Sequence, residues 1–236
     1  MPCNIGYKTY APIRIPQPTP QRFKKKMPSP SIDQDLLEKL GVNDQVFLSW
    51  IQKLNIKPLL EEALKKTLEL QPSESINFSI SEDGNIIAES FYTNSSEKNE
   101  AEKTTNRVIN HWQMEVLKIV TRLLGYKANI LNPGENSTKA LTLVAEEEGK
   151  SHPCKYIRIS KNPDSNGEIV FEHFTSKSEL EKEKIKFIAL AQRLGVKIAL
   201  PDSPVNGQPI PGSVEEHTGH SHTHNHSHHH GHNEIG

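Results

Sequence analysis

The sequence predicts an α+β protein: a helical N-terminal part, then antiparallel β-hairpins with a long helix and a C-terminal helix, then a disordered His-rich tail. Three observations carry this. Apolar residues recur at helical spacing through the segments around Leu36–Leu68 and Val108–Leu124. Between and after those segments the apolar period drops to two, as in Ile76, Phe78 and Ile80. Strands of that period, joined by short turn-rich stretches and accompanied by helices, describe the α+β class. Last, residues 201–236 contain no aromatic residue, no Lys and no Arg. Such a segment buries too little apolar surface to offset the entropy of ordering it.

The chain accordingly divides into an extended Pro-rich basic arm (1–30), a helical segment (31–72), an α+β domain (73–200) and the tail (201–236). In the arm, "RFKKK" is a contact for an acidic partner, a solvated linker, or a strand on a sheet edge. "SIDQDLLEKLG" offers Ser31 or Asp33 as N-cap and Gly41 as the residue just past the helix end. "NDQVFLSWIQKLN" places Val46, Phe47, Trp50, Ile51 and Leu54 on one face. "KPLLEEALKKTLELQP" has Pro58 in its first turn and leucines at 60, 64 and 68.

"INFSISEDGNIIAES" breaks at Asp83-Gly84 and reads as a hairpin. A long helix follows, capped by Ser95 or Ser96, with Val108, Trp112, Val116, Ile119, Leu123 and Leu124 as its apolar stripe and Gly125 at its end. "YKANIL", "ALTLVAE", "KYIRIS" and "EIVFEHF" are strands, the last two separated by the turn formers "NPDSNG". "SELEKEKIKFIALAQRLG" is a charged helix ending at Gly195, and "VKIAL" a last short strand.

Hydrophobic residues make up 34% of the chain, because polar, Pro-rich ends dilute an ordinary core. The net charge of -1 provides no global field for nucleic acid or membrane. Two cysteines, Cys3 and Cys154, are too few for a disulfide framework and fit reduced thiols in a cytoplasm. No apolar run reaches the ~18–20 residues of a membrane span. The start lacks the apolar core of a secretory signal, and the prolines before Asp33 would spoil an amphipathic targeting helix.

The chemistry concentrates in "HTGHSHTHNHSHHHGH", residues 217–232. His217, His220, His222, His224, His226, His228, His229, His230 and His232 make nine imidazoles in sixteen residues, alternating strictly from 220 to 228. Neutral imidazole suits nickel, zinc and copper. Small spacers let a flexible chain fold several imidazoles round one ion, and no Lys or Arg opposes a cation. At two to four ligands per ion, the tail would hold roughly two or three ions. The expected partner is therefore a divalent transition metal. A solubilising tail, a pH-responsive tail and an engineered tag compete with that reading.

The tail resembles the histidine-rich ends of nickel- and zinc-handling proteins: nickel chaperones of hydrogenase or urease maturation, zinc transporters and their partners. The resemblance covers residues 217–232 alone and implies storage, buffering or delivery of metal. The nickel chaperones that are GTPases also carry a phosphate loop, whereas this chain has neither G-x-x-x-x-G-K-[ST] nor G-x-G-x-x-G.

In the body, His152, Cys154 and His173 together with Cys3 are the residues that could form a Cys2His2 site, though without zinc-finger spacing. His111, beside Trp112, reads as a structural histidine. No G-x-S-x-G and no HExxH is present, so no enzyme class is indicated. The reading is a non-enzymatic metal-binding protein. The alternative is an adaptor whose body or basic arm binds a protein partner.

Overall fold

In a computed structural model the described residues are 18–27, 31–131, 141–162 and 167–198. They form five helices and two antiparallel sheets, the α+β class that the hydrophobic periods predict. The smaller sheet has the order β1(Gln21–Lys26)-β3(Ile86–Tyr92)-β2(Asn77–Ile80). The larger is a four-stranded meander, β4(Tyr126–Leu131), β5(Leu141–Glu147), β6(Tyr156–Lys161) and β7(Gly167–Glu172). The helices are α1(Gln34–Asn43), α2(Gln45–Lys53), α3(Ile56–Leu70), α4(Ser95–Leu123) and α5(Lys177–Arg193).

Helix α4 is the spine. Its 29 residues extend about 44 Å at 1.5 Å per residue. It packs against α3, α5, β3, β4 and β5. The predicted stripe is inside: Val108, Trp112, Val116 and Ile119 are buried, and Leu123 and Leu124 pack on the core. Burial reaches further round the helix, to Ile109, Met114, Leu117, Val120 and Thr121, because sheets and helices cover it from several directions. Trp112 Nε1 donates to the Leu60 carbonyl at 3.3 Å, which ties the spine to α3.

Both sheets bury one face. On β5 and β6 the inward residues Leu143, Ala145, Ile157 and Ile159 are all buried. Phe171 of β7 meets Phe187 of α5 edge-on, with ring centroids 5.8 Å apart. In the smaller sheet Phe23, Phe78, Ile80, Ile86 and Ala88 point into the same core. The hairpin between β2 and β3 turns at Gly84, whose φ is 81°. That backbone favours glycine, and a Cβ there would also stand 2.8 Å from Ile56 Cδ1, which would have to move aside.

The basic cluster takes the sheet-edge alternative. Gln21–Lys26 pairs antiparallel with β3, and Arg22 and Lys24 both bond Glu89 across the strands, at 2.9 and 3.4 Å. The N-terminal helices are locked to the C-terminal one. Asp33 N–H donates to Gln192 Oε1 and Gln192 Nε2 donates to Asp33 Oδ2, each at 2.9 Å. Arg193 donates to the carbonyls of Ile51 and Leu54, both at 3.2 Å.

Several local expectations change. Helix α1 runs through Gly41 to Asn43, and the chain turns only at Asp44, whose carboxylate accepts from Phe47 N–H. On α2, Ile51 is buried and Phe47 and Leu54 pack on the core, but Val46 is 81% exposed and Trp50 38%. Only a narrow strip of this short helix meets its neighbours. The cap of α4 is Asn94, not Ser95 or Ser96: its Oδ1 accepts from Glu97 N–H at 2.9 Å. Residues 196–198 are not in a strand, and the rest of "VKIAL" lies outside the described residues.

The two long entries into helices share one device. Before α4, Glu97 Oε2 accepts from Thr93 N–H (2.7 Å) and Thr93 Oγ1 (2.9 Å). Before α5, Glu179 Oε2 accepts from Thr175 N–H (3.1 Å) and Thr175 Oγ1 (2.5 Å), while Ser176 Oγ accepts from Glu179 N–H. Both helices end in the same way, at Gly125 (φ 92°) and Gly195 (φ 86°), each preceded by leucine. The segments β2–β3–α4 and β6–β7–α5 are thus two hairpin-then-helix units with matching helix boundaries.

These packing assignments separate two substitutions in urea unfolding. Phe187→Ala should cost about 3–5 kcal/mol, whereas exposed Val46→Ala should stay within about 0.5 kcal/mol. Loss of the cap in Asn94→Ala should cost about 1 kcal/mol.

Candidate functional site

The nine tail histidines, and Cys3, lie outside the described residues. The other three histidines and Cys154 are described, and they do not form one centre. Among the described residues no three His, Cys, Asp or Glu side chains converge as metal ligands would.

His152 and Cys154 sit in the connection between β5 and β6. Cys154 Sγ lies 3.8 Å from His152 Nδ1, and His152 Nε2 lies 3.8 Å from Glu146 Oε2. Thiol, imidazole and carboxylate follow one another as in a nucleophile relay. However, both separations are long, and Cys154 is only 6% exposed. The other two members, His152 and Glu146, face water. A buried thiol with a loosely held imidazole is structural in character rather than presented to a substrate.

His173 closes β7. Its φ of 63° puts a non-glycine residue in the left-handed region, where the chain swings from the strand to the cap of α5. Its Nε2 is 4.0 Å from Glu172, and its buried Nδ1 has no hydrogen-bond partner. His111 is 3% exposed inside α4, 3.8 Å from Glu115 one turn on. Its place in the core is the one expected of a structural histidine, with Nε2 left unbonded.

Among the described residues a dense polar constellation lies where the larger sheet meets α5, and no local pattern of residues announces it. Lys155 pairs with Glu179 and places its ammonium 5.7 Å from the centre of the Phe174 ring. Tyr126 Oη donates to Glu183 Oε1 at 3.1 Å. The Lys155 ammonium, then the Thr175 donors, hold the Glu179 carboxyl down to about 2. Glu183 is displaced the other way, because burial outweighs the help of Tyr126, Lys186 and Lys155. Burial and the Glu183 carboxylate raise the Tyr126 phenol. These groups are spent on each other and fasten α5 to β4 and β6.

One further amine is displaced by burial. Lys161, at the end of β6, has its ammonium lowered to about 8 and donates to Gln113 of α4. Sequence reasoning missed Lys155, Glu179 and Lys161 alike. The only local signal was the Thr-Ser-x-x-Glu cap before α5, which locates Glu179 but not its lysine. Comparison with family models, curated proteins and solved structures finds no match to this chain.

Two measurements check this geometry. The Glu179 carboxyl is lowered from 4.5, so its stabilisation is complete above about pH 4.5 and is lost as pH falls towards 2. The melting temperature of Glu179→Gln should therefore lie below that of the parent at pH 6, with the gap narrowing as pH is lowered to 2. In a Cys3→Ser background, a thiol reagent should modify Cys154 slowly in the native protein and rapidly in denaturant.

Proposed function

We propose that this chain binds transition-metal ions through His217, His220, His222, His224, His226, His228, His229, His230 and His232, and that it stores, buffers or delivers them. The observation carrying this reading is the ligand string itself: nine imidazoles in residues 217–232, small spacers, and no fixed positive charge from 201 to 236. Nickel, zinc and copper are the ions that imidazole favours. The absence of nearby thiolates suits exchangeable, multivalent binding better than one rigid site. The reading is of a non-enzymatic protein in the cytoplasm, where two cysteines remain reduced. Among the described residues no helix is long and apolar enough to cross a membrane.

Calorimetry with nickel, zinc and copper salts tests this on the full chain and on a version ending at Pro211. The full chain should bind roughly two or three ions, and the truncated one should lose them. Binding should weaken between pH 7 and 5, as imidazoles with an ordinary value near ~6.5 take up protons. Equal binding by both versions would move the ligands into the body.

A second reading, a protein–protein adaptor, is favoured by one observation. Val42, Val46 and Trp50 leave apolar side chains in water near the α1–α2 junction, at 87, 81 and 38% exposure. A partner captured through this patch should survive truncation at Pro211 and treatment with chelator, and be lost in a Val46→Asp, Trp50→Ala variant.

A further inference from the structure

We propose that the free edge of β7 is a docking site for an extended basic segment of a partner protein, added to the larger sheet as a fifth strand. The inference is independent of the metal chemistry of the tail. It starts from the two hairpin-then-helix units. β3 and β7 hold equivalent places, each being the second strand of a hairpin that runs into a Thr-led, Glu-closed cap. β3 is paired on both sides, by β2 and by β1. Among the described residues β7 is paired only with β6. The smaller sheet therefore displays a filled version of the edge that, among the described residues, the larger sheet leaves open.

The strand filling that edge is basic. Arg22, Lys24 and Lys26 alternate along one face of β1, and the first two bond Glu89 of β3. β7 carries the matching chemistry. Glu168, Val170 and Glu172 share its outer face, opposite Ser160, Arg158 and Tyr156 of β6. Two carboxylates against the single guanidinium of Arg158 leave that strip acidic. The other face presents Ile169 and Phe171 to the core side.

An edge strand offers unpaired backbone donors and acceptors to any extended chain, and proteins commonly blunt such edges with lysine or proline. β1 has lysines at 24, 25 and 26, whereas "GEIVFE" has neither lysine nor proline. A second copy fits poorly. Two β7 strands paired antiparallel about Val170 would set Glu168 against Glu172 twice, and directly opposed like charges destabilise a sheet. Basic residues four apart on an extended segment would instead meet both carboxylates, with main-chain bonds supplying the remaining affinity.

The probe is a synthetic peptide with the sequence of residues 18–27, PTPQRFKKKM, in which Arg22 and Lys26 have the required spacing. It is titrated into the isotope-labelled full chain and followed by amide shifts and amide exchange. The expected result is shift changes and slowed exchange at 167–172, with binding at least tenfold weaker to a Glu168→Lys, Glu172→Lys variant. A peptide with its three lysines and arginine replaced by glutamate should not bind, which tests the charge requirement even if that variant fails to fold. Undisturbed β7 amides, changes confined to β3, or equal binding of the acidic peptide would overturn the proposal. So would β7 shifts that depend on protein concentration without peptide, since they would assign the edge to a second copy.

Discussion

Both sheets and two of the other helices pack on α4, and the constraint is one of coverage. From Val108 to Thr121 the helix is apolar or uncharged on most of its circumference, so it has to be enclosed rather than laid on a surface. No single sheet can enclose a helix. Two sheets, α3 and α5 do it together, which explains why strands from such distant parts of the chain end in one core. The first six residues of α4, 95–100, are by contrast exposed, and there the helix depends on its cap rather than on packing. The buried His111–Glu115 pair is the polar cost of this arrangement: two side chains one turn apart that the surrounding layers cover.

The first and last helices of the described residues are held by polar contacts rather than by the core alone. Asp33 and Gln192 satisfy each other, 159 residues apart, and Arg193 satisfies two carbonyls at the end of α2. The carbonyls at a helix C-terminus have no partner within their own helix, so a guanidinium from α5 both satisfies them and opposes the negative end of the helix dipole. α5 receives in return the Lys155–Glu179 and Tyr126–Glu183 contacts from the larger sheet. It is thus the joint between the helical N-terminal part and the meander. The charged groups clustered there are paired across the joint.

Function separates from this architecture. On the proposed reading, nine imidazoles at 217–232 would take borderline cations through ligand type, spacing and the absence of opposing charge, none of which depends on the body. What the body adds is surface: an acidic, unblunted edge on β7 and an apolar patch on α1 and α2. A chain that carries metal on one end and recognises a protein with its body would combine the two readings without any contact between them.

The sequence by itself determined the α+β class and most element types, because hydrophobic period is local, while the end of α1 at Asn43 and the Asn94 cap of α4 were not read from it. Leu60, Leu64, Trp112 and Val116 were legible as core for that reason, and so was the turn at Gly84. Tertiary structure alone decided which side of the remaining residues is covered. Val46 and Trp50 have the spacing of Ile51's face yet are exposed among the described residues, Val46 at 81% and Trp50 at 38%. "RFKKK" reads foremost as a solvated linker until Glu89 of β3 is found bonded to Arg22 and Lys24. Lys155, at the end of the β5–β6 connection, meets Glu179 at the start of α5 only through the tertiary fold, a pairing between residues 24 positions apart that no local pattern encodes.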